Sequence, residues 1–89
     1  MSKIYVVIAM KNLRSVVNIR SYGNITFHLK EMIEAKGITR YRLSKLADTR
    51  FEVVEKWCSG TEERIDSDVL ARFCYILDCE ITDIIKYNL

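Results

Sequence analysis

The sequence has no proline, only three glycines, one histidine and one tryptophan. With 49% hydrophobic and 29% charged residues, this scarcity excludes a collagen-like, low-complexity or disordered chain. A long apolar run is also missing. The longest, Ile4 to Met10, falls far short of the roughly 20 residues that span a bilayer. The features of a secretory leader are absent too: Lys11 and Arg14 follow the apolar run closely, and no small-residue cleavage site comes after them. A soluble, cytoplasmic chain with no membrane partner is expected. The 89 residues suit one domain. A domain of that size buries about 60% of its unfolded surface, so an enclosed substrate pocket is hard to build.

Paired cysteine spacings are lacking as well. Cys58, Cys74 and Cys79 are odd in number, and no two have the C-x-x-C spacing of zinc or thiol redox sites. They read as reduced thiols, with Cys74 in the core as a small hydrophobe. His28 has no Ser, Cys or acid in an activating arrangement, and no Gly-rich phosphate loop occurs. No metal, cofactor or catalytic set is expected, so the chain does not read as an enzyme.

The net charge of +2 is unevenly spread. Residues 1–23 carry Lys3, Lys11, Arg14 and Arg20 and no acid. Residues 24–60 carry seven bases and five acids, and residues 61–89 carry three bases and seven acids. The first two stretches can face an anion, whereas the last repels one. Taken alone, this distribution is no more than a set of solvated faces.

Two parts are expected along the chain. Residues 1–23 read as a basic, β-rich extension. Its residues 3–9 have strand composition, and Val16, Val17 and Ile19 form a candidate second strand after a turn near Lys11-Asn12. Such a ribbon needs a partner, either the rest of the chain or a second copy. From residue 24 the period becomes helical. Phe27, Leu29, Met32 and Ile33 share one side of a first helix ended by Gly37. Thr39 caps a second helix with Leu43, Leu46 and Ala47 inward. Thr49 and Glu52 have capping-box spacing at the start of a third, which carries Val54 and Trp57 inward and stops at Gly60. Asp66 or Ser67 caps a fourth helix, whose stripe is Leu70, Phe73, Cys74 and Leu77. Thr82 caps a short fifth with Ile84 and Ile85.

Residues 38–60 place two short helices about a tight turn, the helix-turn-helix layout. With Val54 and Trp57 inward, the positions left outward are Arg50, Phe51, Glu52, Glu55 and Lys56. Arg can reach guanine O6 and N7, and Glu can accept from cytosine N4. Phe51 either meets thymine methyl groups or folds back onto the domain. Arg40, near the start of the second helix, and Ser59, at the end of the third, are candidate phosphate contacts. The helical spacing of Trp57 from Val54 marks it as core rather than as a platform for a base.

This stretch resembles the Cro/C1-type helix-turn-helix regulators of bacteria and phages, most closely the small stand-alone members. The resemblance runs over residues 24–89. It rests on Lys36-Gly37-Ile38-Thr39-Arg40-Tyr41-Arg42-Leu43-Ser44-Lys45-Leu46, on Lys56-Trp57 with Gly60, and on Arg64-Ile65-Asp66 through Asp78-Cys79-Glu80-Ile81-Thr82-Asp83-Ile84-Ile85. It implies a mostly α, five-helix domain that binds double-stranded operator DNA, usually as a homodimer, and regulates transcription. The recognition helix would span about residues 50–58. The family's base-reading positions fall on Arg50, Phe51, Glu52 and Lys56, and its backbone-contacting positions on Arg40 and Ser59. No small-molecule effector is expected, because no segment is left for an effector domain.

The chain departs from the family pattern in several places. Asp48 stands where the turn usually has Gly, and Asp tolerates the left-handed conformation better than most residues. Arg50 stands where the recognition helix usually has a Ser cap, which shifts the expected cap to Thr49. Glu52 and Glu55 put negative charge on the presumed DNA face, so affinity should be modest unless the basic extension helps. The acids of the helix and of the C-terminal third motivate a competing reading, a protein-binding module of antitoxin or adaptor type on the same scaffold.

Overall fold

Trp57 occupies the centre of the core. Its ring meets Phe27 edge-on at a centroid distance of 5.6 Å and Phe73 edge-on at 5.2 Å. A computed structural model describes residues 22–89 and shows how the chain brings these three rings together. Strand β1 (Asn24–Phe27) leads into α1 (Leu29–Lys36), α2 (Arg40–Leu46), α3 (Phe51–Ser59), α4 (Ser67–Leu77) and α5 (Ile81–Ile84), and strand β2 (Ile85–Asn88) closes the domain. The expected mostly α, five-helix architecture is therefore present. The strands expected at residues 3–9 and 16–19 lie outside the described residues. No described helix is long and apolar enough to cross a membrane.

Each helix contributes its apolar stripe. Leu29 and Ile33 from α1, Leu43 from α2, Val54 and Trp57 from α3, Leu70, Phe73 and Leu77 from α4 and Ile84 from α5 are buried, together with Ala47. Leu46 departs from expectation, being 50% exposed. Leu43 and Ala47, four apart, fill the inward line. Leu46 falls at its margin, beside Ala71 and Tyr75 of α4.

Most helix ends follow the local signals. Gly37 and Gly60 close α1 and α3 in the left-handed conformation. The Asp66 carboxylate accepts from the Asp68 and Val69 amides at 2.9 and 3.3 Å. Two ends differ. Thr82 lies inside α5, and Glu80 is its cap, with the Glu80 amide donating to the Asp83 carboxylate at 2.9 Å. Phe27 belongs to β1 rather than to the first helix, and Ile85 to β2 rather than to the last.

The reason is pairing between the two ends of the domain. β1 and β2 are antiparallel, with Asn24 opposite Asn88, Ile25 opposite Tyr87, Thr26 opposite Lys86 and Phe27 opposite Ile85. Strand geometry sends Phe27 and Ile85 to the same face, where both pack against the core. The Tyr87 hydroxyl donates to the Tyr22 carbonyl at 2.6 Å. Gly23 permits this closure: its φ is +85°, and a Cβ there would stand 2.2 Å from the Asn88 carbonyl oxygen.

Truncating Trp57 to Ala removes the common partner of both edge-on contacts. The expected loss is about 3–5 kcal/mol of stability, read by urea denaturation. A loss below about 1 kcal/mol would place the core elsewhere.

A second prediction concerns pH. Burial, and after it the neighbouring Cys74 and Asp83, push the Cys79 thiol up to about 11 from its ordinary 9.0. The fold therefore favours the protonated thiol more than the unfolded chain does. That contribution is complete below pH 9.0 and is lost as the pH rises towards 11. Cys79→Ala should flatten the fall in melting temperature across this window. An identical fall in both proteins would mean that other groups carry it.

Candidate nucleic-acid interface

The α2–α3 pair is built from local bonds. The Thr39 hydroxyl accepts from the Arg42 amide at 3.0 Å and starts α2, as its position predicts. The connecting turn passes through Asp48 at φ +53°, the left-handed geometry that Asp tolerates. The Thr49 amide then donates back to the Ser44 carbonyl at 3.0 Å. Arg72, on α4, holds the turn from behind. Its guanidinium donates to the Ala47 carbonyl at 2.9 Å and pairs with Asp68 one helical turn earlier. Nothing local in residues 38–60 announces this clamp. The signal available was the Asp68–Arg72 spacing of four, which holds the arginine along the surface of α4.

The start of α3 differs from expectation. Arg50, not Thr49, is the N-cap residue, and no side chain caps it. The Thr49 hydroxyl is buried and has no hydrogen-bond partner among the described residues. The Thr49 amide still belongs to the preceding turn, so Thr49 sits one position too early for its oxygen to reach the orphan amides of α3.

Val54 and Trp57 are 0% and 1% exposed, which fixes the rotation of α3. Arg50, Phe51, Glu52 and Lys56 all remain exposed. Ser59 is exposed at the far end, where its hydroxyl donates to the Lys56 carbonyl at 3.1 Å and shares a hydrogen bond with Thr61 at 2.9 Å. Arg40 is engaged differently from expectation: one of its amino groups contacts both Glu55 carboxylate oxygens, at 2.9 and 3.2 Å. Glu55 is thus a brace between α2 and α3 rather than an isolated acid facing outward. Glu52 has no such pairing among the described residues.

Two further residues, Tyr41 and Lys45, belong to this surface. Tyr41 lies against Phe51, with ring centroids 6.5 Å apart, and the Lys45 ammonium sits 5.2 Å from the centre of the Tyr41 ring. The spacing of four between Tyr41 and Lys45 was legible as one helix face, but the approach of Phe51 from the next helix was not. Among the described residues, no group of three or more His, Cys, Asp and Glu gathers to hold a metal.

A sequence model of the Cro/C1-type HTH DNA-binding domain matches residues 28–89. The chain belongs to that family. A crystal structure from Bacteroides fragilis, described as that of a candidate DNA-binding protein, superposes with a TM-score of 0.64. The two sequences are 17% identical, and the match covers 71% of this chain and all of that one, which shows a shared fold. No curated protein matches the sequence. In this Cro/C1-type chain, α2 and α3 are the two helices of the motif, bridged by the Arg40–Glu55 brace, with Arg72 of α4 bonded to the turn between them.

The brace is half-exposed, with the two side chains 37% and 40% accessible, so its expected strength is that of a surface pair. A double-mutant cycle on Arg40→Ala and Glu55→Ala should return a coupling of about 0.2–1 kcal/mol in denaturant at low salt, shrinking as salt is added. Strict additivity of the two substitutions would show that the pair does not hold the helices together.

Proposed function

We propose that the chain is a sequence-specific, double-stranded DNA-binding regulator of transcription that acts as a homodimer, with α3 in the major groove. The observation that carries this reading is the rotation of α3. Its apolar stripe is fully buried, while Arg50, Phe51, Glu52 and Lys56 stay in solvent on a helix short enough to enter a groove about 12 Å wide. Membership of a DNA-binding domain family supports it independently.

In this reading Arg50 leads the base contacts, donating to guanine O6 and N7. Glu52 accepts from cytosine N4, which turns its charge from a general liability into a local preference. Phe51 offers an apolar contact, and Lys56 reaches base edges one turn further along. Ser59 and Arg40 contact the phosphate backbone. Arg40 does so with the guanidinium N–H groups that Glu55 leaves free, so one side chain braces the motif and fixes its register on the duplex. Two copies on a two-fold axis would read half-sites about 34–36 Å apart or at a multiple of that distance.

Selection from a random duplex library at two salt concentrations tests the reading directly. The expected result is an enriched, two-fold-related sequence. Arg50→Ala should cost about 1–3 kcal/mol on that sequence and flatten the preference at one base pair. Light scattering should give the mass of two chains on it. Unchanged affinity and preference in the Arg50→Ala/Lys56→Ala variant would reject the proposed reading face. Retention of one stoichiometric protein and no DNA would favour the protein-binding alternative.

A further inference from the structure

The β1–β2 sheet has an apolar face that the helices cover over only part of its length. Residues two apart on a strand share a face. Phe27 and Ile85, at the end that joins the helices, pack against the core. Ile25 and Tyr87 continue the same face further out and are 49% and 57% exposed. The opposite face is polar. Asn24, Thr26, Lys86 and Asn88 alternate with those four residues, and the Asn88 side-chain amide donates to the Thr26 hydroxyl at 2.8 Å. Such alternation belongs to a sheet covered on one side and solvated on the other. Ile25 and Tyr87 therefore form an apolar shelf that the described residues leave half-open.

The chain that leads into β1 arrives at this shelf. The Tyr87 hydroxyl donates to the Tyr22 carbonyl at 2.6 Å. Gly23 leaves room for the Tyr87 ring, since a Cβ there would stand 3.0 Å from two of its side-chain atoms. Residues 11–21 separate Tyr22 from the apolar run Ile4 to Met10. A linker of that length reaches at most about 40 Å, several times the roughly 13 Å of a four-residue strand. The run is apolar at every position, so as a strand it presents an apolar face whichever way it turns. Charge favours the same meeting. Residues 1–23 carry bases and no acid, whereas residues 61–89, which include β2, carry three bases and seven acids.

A second copy suits the shelf less well. Two half-exposed side chains offer about 200 Å², taking 150–250 Å² for a large one. A stable interface needs about 800 Å² from each partner. A tethered segment needs no such area, because a short tether holds it at an effective concentration of about millimolar.

We propose that the apolar run Ile4 to Met10 lies on the shelf of its own chain, against Ile25 and Tyr87. The partner that the extension requires is then the rest of the chain. This proposal is independent of the duplex-binding reading.

Photo-crosslinking of the full chain tests it. With p-benzoylphenylalanine in place of Ile25, an equal mixture of isotope-labelled and unlabelled chains is irradiated and digested. Mass spectrometry should find position 25 joined to residues 4–10 in peptide pairs that are wholly labelled or wholly unlabelled. The same group in place of Tyr75, 88% exposed on α4, should not capture that run. In the wild-type chain, the amides of residues 4–10 should exchange with deuterium about ten-fold or more slower than in the free peptide. Ile25→Lys should bring that ratio close to one while the α4 amides stay protected. Pairs of mixed label would give the shelf to a second copy and overturn the proposal. Equal capture from position 75, or wild-type exchange at the free-peptide rate, overturns it as well. So does unchanged protection of residues 4–10 in Ile25→Lys. The wild-type exchange needs no variant to fold.

Discussion

The burial of the Trp57 indole decides which residues of α3 can act. A nine-residue helix has little stability of its own in water, so its orientation comes from what it packs against. Trp57 is held edge-on by Phe27 on one side and Phe73 on the other, and Val54 lies one turn away on the same face. Turning the helix by one position would expose the indole and bury a charged residue in its place, at a cost of several kcal/mol. The outward set of Arg50, Phe51, Glu52 and Lys56 is therefore a consequence of the core. Phe27 ties this arrangement to the strand pair, because the residue that supports Trp57 is also the last residue of β1.

Polar contacts then set the finer geometry. Two arginines act at that level. Arg72 binds the carbonyl end of the α2–α3 turn, and Arg40 ties the start of α2 to the middle of α3. Both use the planar guanidinium to make directional bonds that a lysine could not duplicate. Both sit at partly exposed positions, where such bonds orient elements without contributing much to stability.

What was legible in the sequence was what depends on near neighbours. Most of the helix stripes, though not Leu46, Phe27 or Ile85, the Thr39 and Asp66 caps, the Gly37 and Gly60 ends and the left-handed Asp48 follow from residues within one or two turns of each other. The outward face of α3 was legible for the same reason, since it is the complement of an apolar stripe. The unread features depend on distant partners. β1 pairs with β2 about sixty residues away, and four residues of mixed polarity at either end carry no sign of the other. Arg40 meets Glu55 fifteen residues on, whereas the sequence alone offered Arg40 as a phosphate contact and Glu55 as an outward acid on the same face. The cap of α3 failed on register: a Thr–Glu spacing is compatible with a capping box, but the preceding turn had already claimed the Thr49 amide.

The balance of charges on this surface bears on how it can bind. Pairing Arg40 with Glu55 leaves the summed charge of the face unchanged and replaces two separated fields with one short dipole. Exposed Lys45, Arg50 and Lys56 then stand against exposed Glu52, a small excess of positive charge for a ligand as anionic as a duplex. Affinity from counterion release grows with the number of phosphates neutralised, so a face with few net cations draws little from that source. In the duplex-binding reading proposed above, hydrogen bonds from Arg50 and Glu52 to base edges do not depend on net charge. They also differ from one base pair to the next, whereas phosphate contacts do not. On that reading the surface gives up general attraction and keeps discrimination, the combination that binding one sequence among a large excess of non-specific sites requires.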